Sequence, residues 1–390
     1  MPRLPRRWSR VALALLALLL VAYWMARPTL RSAALLMDMT GAAPKLRPWI
    51  PATTYDVSTE DIDVPTRHGS IRARLYKGVA NHGPTLAVFP GVHGGGVDEP
   101  RFAALSRRIA AAGATVLATP LPDLRTYRLT TNATDMIEDT VVWLSDNANL
   151  APHGRVGLVS VSFAGGLALV AGGRPAVGER LSAIFTLGAH ADLPRVVRFL
   201  CSEGAPKNLP PPHDYGVVLM LRASIELVVP PEQRASLDKA LVTFLDASSA
   251  EASDQARSQR LFAEALSAET SLAEPARSFL HAVNTRDTVG LGVLLAGHAE
   301  PIAGAPALSP SRSPATRVPV FLLHGIDDNV IPSGELGELQ RYLTAAGNQR
   351  VEAIVTPLVS HADARQHATI AEAWRLLRFW TRMWATFESN

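Results

Sequence analysis

The chain has 390 residues, of which 47% are hydrophobic and 19% charged, so it can bury a full core and exceeds one small domain. Its net charge of +3 comes from the amino terminus, because six of its 38 Lys and Arg residues lie in the first 31 positions, which hold no Asp or Glu. The rest of the chain has 32 basic and 35 acidic residues. The folded part is therefore mildly acidic, and we expect no nucleic-acid partner.

An uncharged apolar run, residues 11–26, lies between Arg10 and Arg27. As a helix it would span about 24 Å, somewhat short of the hydrocarbon core of a membrane. Bulky residues three positions before the possible cleavage points argue against removal by signal peptidase. We expect residues 1–31 to be a signal anchor, with a cytoplasmic amino terminus and an exported catalytic domain. Secretion after cleavage is the alternative.

Strands and helices alternate after a Pro- and Ala-rich connector over residues 32–54. This pattern implies a mostly parallel sheet flanked by helices, and we expect a first core segment over residues 55–189. The predicted elements in chain order are antiparallel strands over 62–65 and 70–76, a strand over 85–89, a helix over 99–112, a strand over 115–119, a helix over 131–147, a strand ending just before Ser162, and a strand over 182–187.

The alternation stops between residues 190 and 313, where helical patterns and proline-rich turns prevail. One such helix begins near Glu232 and carries Leu237, Leu241 and Leu245 on one stripe. Because a structureless loop of this length is improbable inside a compact domain, we predict an inserted helical cap. A second core segment over 314–390 resumes the sheet, with strands over 320–325 and 351–355 and helices over 333–346 and from residue 370.

The most informative stretch surrounds Ser162, where a run of strand formers gives way to small residues and a predicted helix. Ser160, Ala164 and Gly165 are small enough for strand and helix to approach closely. Ser162 would then stand on a strained turn, with the amide of Phe163 directed at a developing oxyanion, as in a nucleophile elbow. A buried strand that ends in a glycine-rich turn is the alternative.

An acid and a base follow later strands. Asp328 comes after the strand that resumes the sheet, and His361 lies in the loop after the last strand. An imidazole can take a proton from serine near neutral pH, and a buried carboxylate fixes its tautomer. Asp327 adjoins Asp328 and could carry the same role. Asp192 is a third candidate acid, although an N-cap for a helix over 193–200 explains it better.

In this order of strand, glycine-rich loop, serine elbow, insertion, Asp and His, the chain resembles the α/β-hydrolase superfamily over about residues 55–388. The resemblance implies that Ser162 is the nucleophile, Asp328 the acid and His361 the base. It implies a serine hydrolase that cleaves carboxylic esters or related acyl compounds, similar to esterases and dienelactone-hydrolase-like members. The alternatives are a peptidase or acyltransferase of the same fold, or a membrane-tethered binding protein without catalysis.

The glycine-rich loop over residues 90–96 can supply the second oxyanion-hole amide in two registers. If its first two residues replace the usual His-Gly after the third strand, the amide of Val92 donates. If His93 begins the equivalent of the His-Gly-Gly-Gly loop of lipases and esterases, Gly94 or Gly95 donates. The end of the strand immediately before the loop favours the first register.

His93, and the cluster His213-Asp214-Tyr215 in the insertion, are further candidates for substrate contacts, although a helix start explains the cluster better. No ligand partner lies at metal spacing from His93 or His324, so we expect no metal. The loop lacks both the Lys-Ser/Thr of a phosphate loop and the order Gly-x-Gly-x-x-Gly, so we expect no nucleotide cofactor. The predicted partners are a small ester or acyl compound and a membrane.

Overall fold

The computed structural model of the chain describes residues 26, 28–38, 45–50, 54–79, 83–201, 211–251, 253–359 and 369–389. Apart from Ala26, the predicted anchor over residues 11–26 lies outside the described residues, as does His361. No helix in the described ranges combines the length and apolar character that crossing a membrane requires.

One sheet of eight strands, in the order β1-β2-β4-β3-β5-β6-β7-β8, forms the centre of the fold. The pairs β1–β2 and β2–β4 are antiparallel and all other pairs are parallel, so the predicted α/β class with a mostly parallel sheet is confirmed. The strands are β1 Val57–Thr66, β2 Gly69–Gly78, β3 Thr85–Phe89, β4 Thr115–Ala118, β5 Val156–Val161, β6 Leu181–Leu187, β7 Val320–Gly325 and β8 Val351–Thr356.

Helices cover both faces of this sheet. They are α1 (residues 28–38), α2 Pro100–Ala111, α3 Pro122–Arg125, α4 Thr131–Asp146, α5 Phe163–Gly172, α6 Pro175–Gly178, α7 Leu193–Leu200, α8 Asp214–Ala223, α9 Ile225–Val228, α10 Pro231–Ala250, α11 Gln255–Ala268, α12 Ala276–Asn284, α13 Thr288–Leu295, α14 Ala299–Ala303, α15 Gly334–Ala345 and α16 Ile370–Glu388.

Strand alternation divides the buried side chains into two cores. In β5, Leu158 faces the core shared with α4, α5 and α15, whereas Val159 faces the core shared with α2 and α16. Phe185 and Leu323 repeat the second orientation on the next two strands. Each central strand is thus buried on both faces, which explains why it reads as a nearly continuous apolar run.

The segment between β6 and β7 carries helices α7 to α14, which we call the helical insertion. The helix predicted near Glu232 is α10, and its Leu237, Leu241 and Leu245 are buried as expected. Their cluster is continuous with the core beneath α4 and α5. The insertion is therefore packed onto the first face of the sheet through shared apolar side chains.

Helix α1 crosses the predicted boundary between the anchor and the connector. Ala34 and Leu35 are buried, and Leu35 joins the core beneath α2 and α16. Arg31 donates to the carbonyl of Ala112 at 3.0 Å and lies 3.4 Å from the carboxylate of Glu388. The part of the connector that begins at residue 32 therefore starts as packed helix, because its apolar stripe has a surface to cover.

Two glycines bring α5 against the turn that follows β6. A Cβ added at Gly165 would lie 2.7 Å from the Cβ of Ala189, and one at Gly166 would lie 2.2 Å from Cε1 of His190. The ring of His190 is fully buried, and its Nε2 lies 2.8 Å from the carbonyl oxygen of Leu308. The small residues after Ser162 therefore serve the close approach predicted for them.

We expect Gly166→Ala to lower the free energy of unfolding by about 1–3 kcal/mol, because the added methyl group has no room beside the buried ring of His190. Gly337→Ala in α15 is the matched control, since nothing lies within 4 Å of the added carbon there. The control should be neutral or stabilise the chain by up to about 1 kcal/mol. Denaturant titration measures both; equal effects would contradict the packing argument.

Candidate active site

Ser162 occupies a strained turn between β5 and α5, with φ 59° and ψ −137°. Few residues other than glycine adopt a positive φ, and such strain concentrates at functional sites. Its amide donates to the carbonyl of Leu187 at 2.7 Å, and its carbonyl accepts from the amide of Gly165 at 2.8 Å. Ser160 lies inside β5 with no exposed surface, whereas Ser162 is 6% exposed. The turn expected at Ser162 is confirmed.

The amide of Phe163 is the first of α5, so it has no acceptor within the helix. Its position at a helix N-terminus favours negative charge nearby. From the other side, the loop after β3 reaches the serine at Gly91. A Cβ added there would lie 2.9 Å from Cβ and 3.5 Å from Oγ of Ser162. Gly91 and the following Val92 are thus the part of the glycine-rich loop that borders the serine.

The helical insertion holds this loop at Val92. Tyr215, on α8, donates its hydroxyl to the carbonyl oxygen of Val92 at 2.9 Å. Burial raises the pKa of Tyr215 well above its usual value, so its hydroxyl stays protonated and remains a donor. Tyr215, expected as a substrate contact, is therefore seen to position the loop.

A second contact between loop and insertion lies at Gly94. A Cβ added at Gly94 would lie 2.6 Å from Oη of Tyr127 and 2.8 Å from Oδ1 of Asp246 on α10. Tyr127 donates to Asp246 at 2.6 Å and lies 3.0 Å from Oγ of Ser249. The pKa of Tyr127 is raised by burial and by the nearby carboxylate, which keeps this hydroxyl protonated as well. Only glycine fits at position 94.

Tyr127, Asp246 and Ser249 were not found from the sequence. Tyr127 and Asp246 are 119 positions apart, and no local pattern pairs them. The signal available in the sequence was the glycine at position 94, which the sequence suggests as an alternative donor to the oxyanion hole instead.

The two candidate histidines have structural roles. Nδ1 of His93 accepts from the amide of Gly95 at 3.0 Å, and burial lowers the pKa of His93. His213 caps α8 by accepting from the amide of Tyr215 at 3.2 Å, and burial lowers its pKa too. The helix start predicted at His213 is confirmed. The backbone amide of His213 also donates to the carbonyl of Asn329, which brings the insertion next to Asp328.

Asp328 is fully buried after β7. Its Oδ1 accepts from the amides of Val330 and Ile331, both at 2.9 Å, and its Oδ2 lies 3.3 Å from Nε2 of His324. Nε2 of His324 lies 2.8 Å from the carbonyl oxygen of Ile331, which accepts a hydrogen bond from it. A Cβ added at Gly188, which has φ +69°, would lie 3.4 Å from Oδ2. The carboxylate is therefore held rigidly at the end of β7, beside the end of β6.

The two other candidate acids have different environments. Asp327 is exposed, unlike Asp328. Asp192 caps α7 by accepting from the amide of Arg195 at 3.0 Å, as the sequence predicted, and it forms an ion pair with Arg312 at 2.6 Å. Among the three, Asp328 alone combines burial with a fixed carboxylate at the edge of the sheet.

Ser162, Asp328 and the segment with His361 follow β5, β7 and β8. These strands are parallel and lie in the order β5-β6-β7-β8, so their carboxyl ends share one edge of the sheet. The serine turn opens a helix at this edge, and the buried carboxylate follows two strands away. This arrangement of a mostly parallel eight-stranded sheet flanked by helices fits the α/β-hydrolase fold.

Comparisons with solved structures find hydrolases that are similar to this chain at low sequence identity. An esterase from Pyrococcus furiosus is 14% identical with a TM-score of 0.44, over 83% of this chain and 91% of that chain. A hyperthermophilic esterase from the archaeon Pyrobaculum calidifontis is 15% identical with a TM-score of 0.43, over 94% and 92%. An acylaminoacyl peptidase from Pyrococcus horikoshii is 10% identical with a TM-score of 0.43, over 86% and 41%. No protein-family model and no curated protein matches the chain.

Tyr215→Phe tests whether the insertion positions the loop beside the serine. We expect kcat for p-nitrophenyl esters to fall about tenfold with little change in KM, because the carbonyl of the half-buried Val92 loses its donor and its peptide can rotate. Tyr342→Phe is the matched control, since the hydroxyl of Tyr342 also donates to a backbone carbonyl, that of Ser313, remote from this edge. Similar changes of kcat in both variants would show that Tyr215 has only a structural role.

Proposed function

We propose that the chain is a serine hydrolase that cleaves carboxylic esters or related acyl compounds through an acyl-enzyme. The observation that carries this proposal is the positive φ of Ser162 at the first turn of α5, with Gly91 packed against its side chain. A strained serine between a strand and a helix N-terminus has no structural purpose that a glycine would not serve at lower cost.

In the proposed reaction, Oγ of Ser162 attacks the carbonyl carbon while His361 takes the hydroxyl proton. Asp328 orients His361 and stabilises its charged form. His361 then gives the proton to the leaving alcohol as the bond between carbonyl carbon and alcohol oxygen breaks. A water molecule, deprotonated by His361, attacks the acyl-enzyme, and the carboxylic acid leaves as Ser162 regains its proton.

The proposed oxyanion hole consists of the amides of Val92 and Phe163. The contact of Gly91 with Ser162 supports the register in which Val92 donates. The amide of Gly95 already donates to His93, and Gly94 faces Tyr127 in the insertion. These contacts favour Val92 over both alternatives.

The proposal includes the location of the enzyme. If residues 11–26 anchor the chain, α1 begins immediately after the anchor and packs against α2 and α16. The active site would then be held close to a membrane surface on the exported side, where apolar acyl compounds are concentrated.

We expect Ser162→Ala to reduce turnover of p-nitrophenyl esters by about 10³-fold or more without shifting the melting transition. Labelling by a fluorophosphonate probe should disappear with it, since only an activated serine reacts rapidly. Ser160→Ala is the matched control and should retain labelling. A wild-type chain that neither labels nor turns over esters would leave the non-catalytic binding protein as the better explanation.

A pair of variants separates the two neighbouring acids. Asp328→Asn should lower kcat by about 10⁴, because an amide at this position favours the wrong imidazole tautomer. Asp327→Asn should cost far less, since that side chain is exposed. Steady-state kinetics measures both, and the reverse order would move the acid by one residue.

A further inference from the structure

A cavity of about 490 Å³ lies between the second face of the sheet and helices α2 and α16. Its size is in the range of small-molecule sites, about 300–1,000 Å³. Protein interiors are packed as densely as organic crystals and contain few voids larger than a water molecule. A space of this size on the apolar face of the central strands is therefore a feature to be explained.

Part of the cavity wall lies at the edge of the sheet that carries Ser162. Val161, which precedes Ser162, lines the cavity, as does Leu187, whose carbonyl accepts the amide of Ser162. Pro100, four residues after Gly96 of the glycine-rich loop, and Val359, at the start of the segment with His361, line it too. Val161 and Leu187 thus bring the cavity wall to the strand ends next to Ser162.

Burial distinguishes the mouth from the floor. The half-buried wall residues are Leu36, Ala104, Leu105, Val161, Leu187 and Val359. The deeper wall residues are buried: Leu86, Val159, Phe185, Trp380, Trp384 and Phe387. The cavity therefore runs from the active-site edge down between the sheet and the two helices.

The wall is almost entirely aliphatic and aromatic. Its charged members are Glu99 and Arg101 at the start of α2 and Arg108 in its last turn. Glu99 accepts from the amide of Phe102 at 2.7 Å and from Nε of Arg101 at 2.8 Å, so its carboxylate is already paired. The buried Nε1 of Trp380 is the polar atom of the floor that has no hydrogen-bond partner among the described residues. The rest of the floor favours an apolar ligand segment, because a polar atom placed against it would lose its hydrogen bonds to water.

We infer that this cavity binds the acyl chain of the substrate, an unbranched aliphatic chain of medium length; the inference rests on the proposed esterase activity. The carbonyl carbon is held at Ser162, and the chain passes Val161 and enters between the sheet and α2. The leaving alcohol stays on the side of the helical insertion. Leu36 of α1 completes the wall, so the helix that follows the proposed membrane anchor is part of the binding site.

The described part of the helical insertion contains a much smaller apolar cavity. The apolar side chains Leu219, Leu221 and Phe244 are buried in its own core, and Leu227 points to solvent. A cavity between Tyr127, Leu193 and insertion residues including Leu219 and Met220 has only about 20 Å³. The candidate substrate contacts found in the sequence, His213 and Tyr215, lie in the insertion, whereas the cavity of about 490 Å³ lies against the opposite face of the sheet.

The substitution Leu105→Trp tests the inference, because a larger side chain on α2 would fill part of the cavity. Wild-type chain should have a higher kcat/KM for p-nitrophenyl octanoate than for p-nitrophenyl acetate. We expect the variant to lower the octanoate-to-acetate ratio at least tenfold, since each methylene excluded from an apolar site costs about fourfold in affinity. Leu261→Trp in α11 is the matched control: Leu261 is also half-buried on a helix but does not line the cavity, so the ratio should not change.

Opposite results would overturn the inference. If the octanoate-to-acetate ratio is unchanged in Leu105→Trp, or is lowered in Leu261→Trp instead, the cavity does not bind the acyl chain and the insertion becomes the better candidate. A wild-type ratio at or below one would exclude a medium-chain acyl site. Melting transitions of all three chains show whether a lost ratio reflects loss of fold, and Leu36→Trp, which narrows the same mouth from α1, replaces Leu105→Trp if that variant does not fold.

A binding measurement separates this inference from the proposed activity. The Ser162→Ala variant cannot hydrolyse an ester, and calorimetric titration of this variant with decanoate should show one binding site. A second substitution, Leu105→Trp, should weaken the affinity for decanoate at least tenfold. Leu261→Trp in the same background should leave this affinity unchanged. This pattern would support the cavity even if wild-type chain cleaves no ester. Absence of decanoate binding to Ser162→Ala would overturn the inference even if esters are cleaved.

Discussion

The close approach of α5 to the turn after β6 is the constraint on which the active-site edge depends. Gly165 and Gly166 lie against Ala189 and His190 at distances that no side chain at either position could accommodate. With the helix so near the sheet, the connection from β5 must turn within one residue, and Ser162 takes the positive φ. The same geometry places the amide of Phe163 at the helix N-terminus, where it can stabilise negative charge.

The helical insertion is joined to this edge through hydrogen bonds as well as through its core. Tyr215 fixes the carbonyl of Val92, and Tyr127 with Asp246 encloses Gly94. The glycine-rich loop is thereby clamped at two points on either side of His93. A loop that is held in this way needs little reorganisation when negative charge develops beside the serine. Donors that are fixed in advance in this manner are what an effective oxyanion hole requires.

The two faces of the sheet take different tasks in the proposed enzyme. The face beneath α4 and α5 shares a continuous core with the insertion, which leaves it densely packed. The face beneath α2 and α16 contains the large apolar cavity that reaches the edge next to Ser162. Strand β5 connects the two proposed tasks. Its alternate residues Val159 and Val161 face the cavity, and the strand ends immediately before the proposed nucleophile, Ser162.

By itself the sequence determined the α/β class, the strands and most helices, because buried parallel strands and amphipathic helices have distinct apolar periods. It also singled out Ser162 and Asp328 from the residues around them. Only the tertiary structure showed that Asp328 is buried while Asp327 is exposed, that Gly91 contacts Ser162, that Tyr127 pairs with Asp246 and that a cavity lies beneath α2. These features depend on burial and on contacts between residues far apart in the chain, and local periodicity carries no record of either.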